Sequence, residues 1–294
     1  MHNYSHKAVL FLLALFCLCQ HAFCQTSFKL DKKRGHYYMT TTVNSRENVK
    51  VLLGSRLPGI VVGREVFDKI FDESQYDNVG VSNREYYSDT RKFNIEKALH
   101  GKVTFGDVSY TGKIYVIEGD ACVAVPVHLL KNEADSTANM IRLNFKKGTL
   151  DFISRDTYDT SKAQSFKVVK YASTPVFETT MELADTYGHE SEIKGKFIFD
   201  LGSGTPVFLF GKNIAEFLKS NNFRLLSATD KSLNTVGKGI LAGYCKIGER
   251  THNGISIGIT NKLYYDEILG CVGPAFFDNG EIVFDPENET IFYR

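Results

Sequence analysis

The sequence has no tryptophan, only six prolines and six cysteines, and no block of like charge. Its 35 basic and 34 acidic residues give a formal net charge of +1, so no general attraction to nucleic acid or anionic membranes is expected. What is present is 43% hydrophobic residues, 13% aromatic residues and 24 glycines. This composition is sufficient for a large core and indicates a turn-rich β protein of one large or two smaller domains.

A single long apolar run lies near the N-terminus. The run Ala8 to Cys19 follows Lys7 and is shorter than the ~20 residues that a membrane-spanning helix needs. Small residues at Ala22 and Cys24 precede a predicted cleavage point ahead of Gln25. We therefore predict a signal peptide over 1–24, no membrane span, and export to the periplasm or the extracellular space. Lipidation of Cys24 is the alternative.

Export would leave three cysteines, Cys122, Cys245 and Cys271. They form no CxxC pair and no His/Cys spacing that suits zinc, so we predict no metal and no cofactor. An odd number of cysteines allows at most one disulfide within a monomer. The sequence leaves open whether all three are thiols or whether Cys245 and Cys271 form a bridge.

The chain repeats itself. The segment LLGSRLPGIVVGREV, from Leu52, aligns without a gap with DLGSGTPVFLFGKNI, from Asp200. In this register Asp200, Gly202 and Ser203 have as counterparts Leu52, Gly54 and Ser55. The polar segment Ser154 to Ala163 separates the two copies. We predict an all-β fold of two similar lobes, 25–155 and 164–294, that arose by internal duplication.

Few helices are expected in this fold. GREVFDKIF and GKNIAEFLKS space apolar residues on one helical face, and each follows a copy of the repeated segment. The remaining segments, such as GKIYVIEG and NGISIGIT, mix β-branched and aromatic residues between turn formers, which is typical of strands.

Two motifs of the second copy resemble those of pepsin-like and retropepsin-like aspartic proteases. Asp200-Leu201-Gly202-Ser203, followed by Gly204, resembles the motif Asp-Thr/Ser-Gly-Ser/Thr, which lies on a turn after an apolar strand. Ile268-Leu269-Gly270 resembles the apolar-apolar-Gly segment that packs beneath the catalytic loop of that family. The resemblance implies the bilobal fold of these proteases, with Asp200 as the catalytic acid.

The chemistry of that family needs two carboxylates. Held close together, they cannot both ionise, so they share a proton. One then takes a proton from water while the other protonates the carbonyl or the leaving amine. The resemblance further implies that Ser203 hydrogen-bonds the carboxylate of Asp200 and keeps it in plane.

The sequence departs from the family in two ways. Leu52 offers no acid as a partner for Asp200, and an apolar neighbour would raise the pKa of a buried carboxylate. Leu53 and Leu201 replace the family's hydroxyl residue, which bonds across to the other lobe, so an apolar contact is expected there. A second acid could enter from elsewhere in the chain, or two Asp200 turns could meet in a dimer. We expect a monomer, because the N-terminal lobe already occupies that face.

The sequence thus predicts an exported aspartic-peptidase-like protein with an interlobe cleft centred on Asp200. The cleft would hydrolyse peptide bonds or bind peptides, with an extended polypeptide or unfolded protein as the partner and no nucleic acid. The alternative is an inactive pseudo-protease that acts as a polypeptide-binding module. A glycan-binding β-sandwich is a third reading. Catalytic activity, the second acid, the substrate sequence and the oligomeric state are left open.

Overall fold

The computed structural model describes residues 26–33, 35–81, 85–87, 92–119, 121–170, 174–229, 235–260, 267–277 and 280–294. The predicted signal peptide, 1–24, lies outside these residues. The strands of the first half are β1 Ser27–Lys33, β2 His36–Val43, β3 Arg46–Gly54, β4 Ile60–Gly63, β5 Asp77–Asn78, β6 Glu85–Tyr87, β7 Lys92–Phe105, β8 Val108–Ile117, β9 Val123–Pro126, β10 Lys131–Asn132, β11 Met140–Asn144 and β12 Thr149–Ile153.

The described strands of the second half are β13 Gln164–Lys170, β14 Val176–Asp185, β15 Glu190–Phe199, β16 Val207–Phe210, β17 Leu226–Thr229, β18 Thr235–Ile247, β19 Arg250–Thr260, β20 Ile268–Val272, β21 Glu281–Asp285 and β22 Thr290–Tyr293. The α-helices of the described chain are α1 Arg64–Ile70 and α2 Lys212–Ser220. Short 3-10 turns lie at Glu73–Gln75, Val127–Leu129, Arg155–Thr157, Thr160–Lys162 and Pro274–Phe277.

The two halves have the same strand pairing. In the first, β3 runs parallel to β9, β9 antiparallel to β4, β4 parallel to β8, and β7 antiparallel to β8. In the second, the same order joins β15, β20, β16, β19 and β18. One main apolar core contains residues from both sets, and one short helix follows the third strand of each set. The predicted all-β fold of two similar lobes with few short helices is confirmed.

A six-stranded antiparallel sheet joins the lobes. Its strand order is β1–β12–β11–β21–β22–β13, so both halves of the chain contribute to it. The hairpins β11–β12 and β21–β22 that close the two halves pair with each other through β11 and β21. Because backbone hydrogen bonds cross between the halves at this point, the sheet fixes how the lobes are placed relative to each other.

The repeated sequence contains a glycine before each helix, and the structure requires both. A Cβ atom on Gly63 would lie 2.2 Å from the main-chain nitrogen of Ala121. Gly211 has φ +96°, which L-residues with side chains rarely adopt. Glycine is thus required at position 63 by the close approach of another main chain and at position 211 by the backbone conformation.

Two apolar clusters lie apart from the main core. The N-lobe patch is Leu57, Val61, Ile117 and Ala124, with Leu52 packed against it. The C-lobe patch is Val176, Ile198, Phe210, Ile268 and Cys271. The two clusters have equivalent positions in the two lobes. Val61 pairs with Ala124 across β4 and β9. Phe208, which packs against the C-lobe patch, pairs with Cys271 across the corresponding strands β16 and β20.

The cysteines differ in environment. Cys122 is an exposed thiol, whereas Cys245 and Cys271 are buried thiols. Burial raises the pKa of Cys245 to about 12, because the interior disfavours a thiolate. None of the helices in the described part of the chain is long and apolar enough to cross a membrane.

A buried ionic network holds the N-terminal strand in the central sheet. The carboxylate of Asp151 accepts hydrogen bonds from the Ser27 hydroxyl at 2.6 Å and the Thr149 hydroxyl at 3.0 Å. Arg142 donates to it through Nε at 3.0 Å and Nη2 at 2.8 Å. The side chain of Asp151 is 6% exposed and that of Arg142 is 20% exposed. The network therefore links β1, β11 and β12 through one carboxylate.

We expect Asp151→Ala to lower the free energy of unfolding by about 2–4 kcal/mol, because it leaves a largely buried guanidinium without its carboxylate. Urea unfolding followed by circular dichroism measures this. Asp68→Ala is the matched control, since Asp68 is exposed on α1 and pairs with Arg64 in the preceding turn of the same helix. Equal stability of the two variants would contradict a structural role for the Asp151 network.

Candidate functional site

Asp200 directly follows β15, an apolar strand that ends in Phe197, Ile198 and Phe199. Its main-chain N–H donates to the carbonyl of Val272 at 3.0 Å, which continues the parallel ladder between β15 and β20. The residue is only 4% exposed. The sheet therefore places this carboxylate in a buried position at the end of the strand.

The carboxylate of Asp200 is bound from both lobes. Its Oδ1 atom accepts a hydrogen bond from the main-chain N–H of Gly202 at 3.0 Å. Its Oδ2 atom accepts one from Nη1 of Arg56 at 2.8 Å. Arg56 belongs to the turn that follows β3 in the N-terminal lobe, so this ion pair crosses between the lobes. The side chain of Arg56 is 18% exposed and that of Asp200 is 6% exposed.

The environment of this ion pair is partly apolar. The guanidinium of Arg56 lies over the ring of Phe210, with 6.0 Å between Cζ and the ring centroid. A guanidinium at hydrogen-bond distance favours the ionised form of a carboxylate. Arginine itself stays protonated in proteins, so it neither accepts nor supplies a proton in acid–base chemistry. The pair is thus a fixed positive charge beside a carboxylate, which differs from two carboxylates that share a proton.

Ser55 forms a second link between the lobes. Its hydroxyl donates to the carbonyl of Phe199 at 2.7 Å and accepts from the main-chain N–H of Leu201 at 2.8 Å. The side chain is fully buried. The expectation of an apolar contact in place of the cross-lobe hydroxyl was therefore wrong for this half of the site: Leu53 and Leu201 are buried in the core, and Ser55 provides the hydroxyl.

These hydrogen bonds define which residues of the two turns are equivalent. Ser55 hydrogen-bonds the residues on either side of Asp200. The family resemblance implies the same kind of bond for the hydroxyl residue that follows the acid, since that residue bonds across to the other lobe. The residue before Ser55, Gly54, then occupies the position of the second acid. Arg56 occupies the position that Gly202 has in the other lobe. The N-terminal motif is Gly54-Ser55-Arg56, where the family has Asp-Ser-Gly.

The strand ladders give the same equivalence independently. In the C-terminal lobe, Phe199 pairs with Val272, and a 3-10 turn begins two residues later. In the N-terminal lobe, Leu53 pairs with Val125, and a 3-10 turn again begins two residues later. Phe199 and Leu53 are therefore counterparts, and the residue after Leu53 is the counterpart of the acid.

The position of Leu52 corrects the sequence alignment. Leu52 was expected opposite Asp200, but it lies two residues before the equivalent position and packs against the N-lobe patch. The reason is that the chain from Asp200 to the first residue of α2 is two residues longer than the chain from Gly54 to the first residue of α1. A gapless alignment that matches the glycines before the helices is consequently shifted by two residues at the turns.

The role expected for Ser203 also needs correction. Its hydroxyl donates to the carbonyl of Thr205 at 2.8 Å and accepts from the N–H of Thr205 at 3.3 Å. It stabilises the turn rather than the carboxylate, and the N–H of Gly202 binds the carboxylate instead. Gly204 is the exposed member of this turn, and a Cβ built on Gly35 would lie 3.1 Å from its Cα atom.

The segment Ile268-Leu269-Gly270 packs beside the strand that carries Asp200. Gly270 pairs with Phe197 of β15, and a Cβ on Gly270 would lie 2.4 Å from the carbonyl oxygen of Phe208. Ile268 belongs to the C-lobe patch, and Leu269 packs against the main core. Glycine is thus required where β20 passes between β15 and β16.

Sequence reasoning missed Arg56 and assigned Gly54 to the wrong partner. A frame that aligns Gly54-Ser55-Arg56 with Asp-Ser-Gly would have found both, because Ser55 then takes the hydroxyl position. That frame matches fewer identical residues than the frame we used. Within the described residues, no group of three or more His, Cys, Asp or Glu residues is arranged to hold a metal ion.

Comparisons with known proteins support the fold and not a specific activity. Neither a scan against protein-family models nor a search of curated proteins gives a match. Among solved structures, the chain is similar to the crystal structure of an aspartic proteinase from Irpex lacteus, with a TM-score of 0.58 and 14% sequence identity. The match covers 92% of this chain and 97% of that one. This chain therefore has the two-lobed, pepsin-like fold of an aspartic proteinase.

Proposed function

We propose that this protein binds an extended polypeptide in the cleft between its lobes and does not hydrolyse it. The observation that carries the proposal is the ion pair of Arg56 and Asp200, which stands where the pepsin-like mechanism needs two acids. Gly54 has no side chain to provide the second carboxylate. Of the two readings offered by the sequence, this geometry favours the pseudo-protease.

The loss of the second acid removes a chemical step, because hydrolysis needs one group to take a proton from water and another to give one to the leaving amine. The guanidinium of Arg56 favours the ionised form of the Asp200 carboxylate, which has no proton to donate, and the guanidinium itself does not release one. General acid–base catalysis by a positioned group contributes about 10²–10⁴-fold to the rate. The site therefore retains the architecture of a protease without its proton transfer.

The same region suits a polypeptide. Leu57, which follows Arg56, belongs to the N-lobe patch, and Phe210, which lies against Arg56, belongs to the C-lobe patch. Both apolar clusters, whose members are at most 9% exposed, therefore border the ion pair, one in each lobe. An extended chain can bind a protein by backbone pairing with its strands, and this is the mode that we propose for the cleft.

Export is a further part of the proposal and rests on residues 1–24 alone. The N-terminal residue of the mature protein tests it: Gln25 is expected, and retention of Met1 would contradict export.

The direct experiment combines binding and cleavage. A fluorescein-labelled unfolded polypeptide, such as reduced and carboxymethylated α-lactalbumin, is titrated with the protein and followed by anisotropy. Incubation with the same polypeptide from about pH 3 to pH 7 is followed by mass spectrometry. We expect saturable binding and intact polypeptide. We also expect Asp200→Asn to bind within a few-fold, because it preserves the shape of the side chain.

Two results would contradict this proposal. Cleavage by the wild type that Asp200→Asn abolishes would establish a peptidase that uses Asp200. Absence of any binding would remove the polypeptide-binding function.

The ion pair can be tested by a double-mutant cycle of Arg56→Gln and Asp200→Asn. Each single variant leaves one charge in a poorly solvated place without its partner, whereas the double variant leaves none. We expect a coupling free energy of about 1–3 kcal/mol from urea unfolding. Additive effects of the two substitutions would show that the pair contributes nothing in solution, and the proposal would lose its main support.

The assignment of Gly54 predicts how to rebuild a catalytic pair. Gly54→Asp combined with Arg56→Gly creates the motif Asp-Ser-Gly opposite Asp200. A Cβ at position 54 approaches Leu57 to 2.8 Å, so that flexible side chain must shift. We expect this variant to gain peptide hydrolysis below about pH 5, where two close carboxylates share a proton.

The control for the rebuilt site is Leu52→Asp, which places an acid in the register of the sequence alignment and should produce no hydrolysis. Addition of Asp200→Asn to the rebuilt variant should abolish the gained activity. A folded rebuilt variant with no activity, or an active Leu52→Asp variant, would show that the equivalence of Gly54 and Asp200 is wrong.

A further inference from the structure

We propose that one corner of the N-terminal lobe binds an anionic membrane surface. This basic corner consists of exposed lysines on β1 and on the turn between β11 and β12: Lys29, Lys32, Lys33, Lys146 and Lys147. Membrane binding at the basic corner does not depend on polypeptide binding in the cleft.

Hydrogen bonds bring the two segments of the basic corner together. Lys29 pairs with Thr149 across β1 and β12. The next residue, Leu30, donates its main-chain N–H to the carbonyl of Gly148 at 2.8 Å. Lys146 and Lys147 directly precede Gly148, so lysines that are far apart in the sequence border the same part of the surface.

The turn that carries two of these lysines is itself fixed. The side-chain oxygen of Asn144 accepts a hydrogen bond from the main-chain N–H of Lys147 at 2.8 Å. The main-chain oxygen of Asn144 accepts one from the N–H of Gly148 at 2.9 Å. The backbone of both lysines is therefore held in place, while their exposed side chains extend into solvent.

The positive charge of the basic corner is largely uncompensated. Asp31 is the acid on β1, and the nearby buried carboxylate of Asp151 is already paired with Arg142. Lysines elsewhere on the surface have acidic partners, as Lys97 has in Glu73. Among the described residues, no acid forms an ion pair with four lysines of the basic corner: Lys29, Lys33, Lys146 and Lys147. The whole chain has a formal net charge of +1, so this concentration of positive charge is local.

The chemistry of lysine favours an extended anionic surface as the partner. An ammonium group is a hydrated point charge on a flexible stem, whereas the planar fork of arginine is the group that recognises single phosphates and carboxylates bidentately. Proteins that bind single-stranded nucleic acid add aromatic side chains on which bases stack. The ring beneath Lys32 belongs to Tyr37, which is only 5% exposed and offers no such platform. Anionic lipid headgroups attract clustered lysines without needing a pocket or a stacking ring.

The position of β1 in the chain also favours a membrane. The strand begins at Ser27, two residues after the predicted mature N-terminus at Gln25. If Cys24 is lipidated instead, the acyl group is attached five residues before Lys29. A single acyl chain gives only weak and reversible membrane binding, and a basic patch is one of the second signals that make it stable. The basic corner stands where such a second signal would act.

Vesicle sedimentation tests this proposal. The protein starts at Gln25, and because the described fold begins at residue 26, removal of 1–24 takes away none of it. One set of vesicles contains equal parts of phosphatidylglycerol and phosphatidylcholine, and the other contains phosphatidylcholine alone. We expect binding to the anionic vesicles at about 100 mM salt, no binding to the neutral ones, and loss of binding at about 500 mM salt, where charges are screened over a few ångströms.

The test variant replaces four lysines of the basic corner: Lys29→Gln, Lys33→Gln, Lys146→Gln and Lys147→Gln. We expect it to bind the anionic vesicles at least about tenfold more weakly, because each lysine near an anionic surface adds to the attraction. The matched control removes the same charge at exposed lysines elsewhere: Lys69→Gln, Lys113→Gln, Lys194→Gln and Lys219→Gln. It should bind within a few-fold of the unsubstituted protein. A third variant with arginine at the four corner positions retains the charge and should also bind, and circular dichroism shows that each variant is folded.

Four results would overturn the proposal. The first is a failure of the unsubstituted protein to bind the anionic vesicles. The second is an equal loss of binding in the corner variant and the matched control, which would assign the effect to net charge. The third is a loss of binding in the arginine variant, which would exclude a charge mechanism. The fourth is release from the vesicles by polyglutamate at equal total charge, which would assign the basic corner to an acidic protein.

Discussion

The structure of the site depends on one contact between the lobes, the pair of hydrogen bonds made by the Ser55 hydroxyl. Both bonds go to the main chain, at Phe199 and Leu201, so they fix the backbone on either side of Asp200. With the two turns held in this way, the next residue, Arg56, reaches the carboxylate at 2.8 Å. A buried hydroxyl that satisfies two main-chain groups is costly to remove, which explains how two turns from different lobes keep one geometry.

The fold of the two similar lobes sets the positions of these turns, whereas the residues on the turns set their chemistry. Both lobes have the same ladders, and the six-stranded sheet sets their relative position. Within this frame, the equivalent positions of the motif hold Gly54 and Asp200, and the next-but-one positions hold Arg56 and Gly202. The frame therefore presents a carboxylate beside a guanidinium, where a protease presents two carboxylates. Two close carboxylates share a proton, whereas a guanidinium beside a carboxylate favours the ionised form of that carboxylate.

This charge arrangement differs from the pair of carboxylates in an aspartic protease. The acids of a protease transfer protons in the transition state of peptide hydrolysis. An ion pair of a carboxylate and a guanidinium has no proton to donate. The proposed absence of hydrolysis rests on the same two residues, since Gly54 has no carboxylate and Arg56 places a positive charge beside Asp200.

The sequence by itself determined the fold class, because β-branched and aromatic residues between turn formers indicate strands, and a segment that recurs before each short helix indicates two similar units. It also located Asp200 and the strand that carries it. Only the tertiary structure decided what faces this acid. The segment between the C-terminal turn and its helix is two residues longer than its N-terminal counterpart. An alignment by identical residues therefore differs by two positions from the equivalence that the hydrogen bonds show. The alignment therefore matched Leu52 to Asp200. The hydrogen bond of Ser55 across the lobes shows instead that Gly54 is the counterpart of Asp200, and Arg56 contacts the carboxylate.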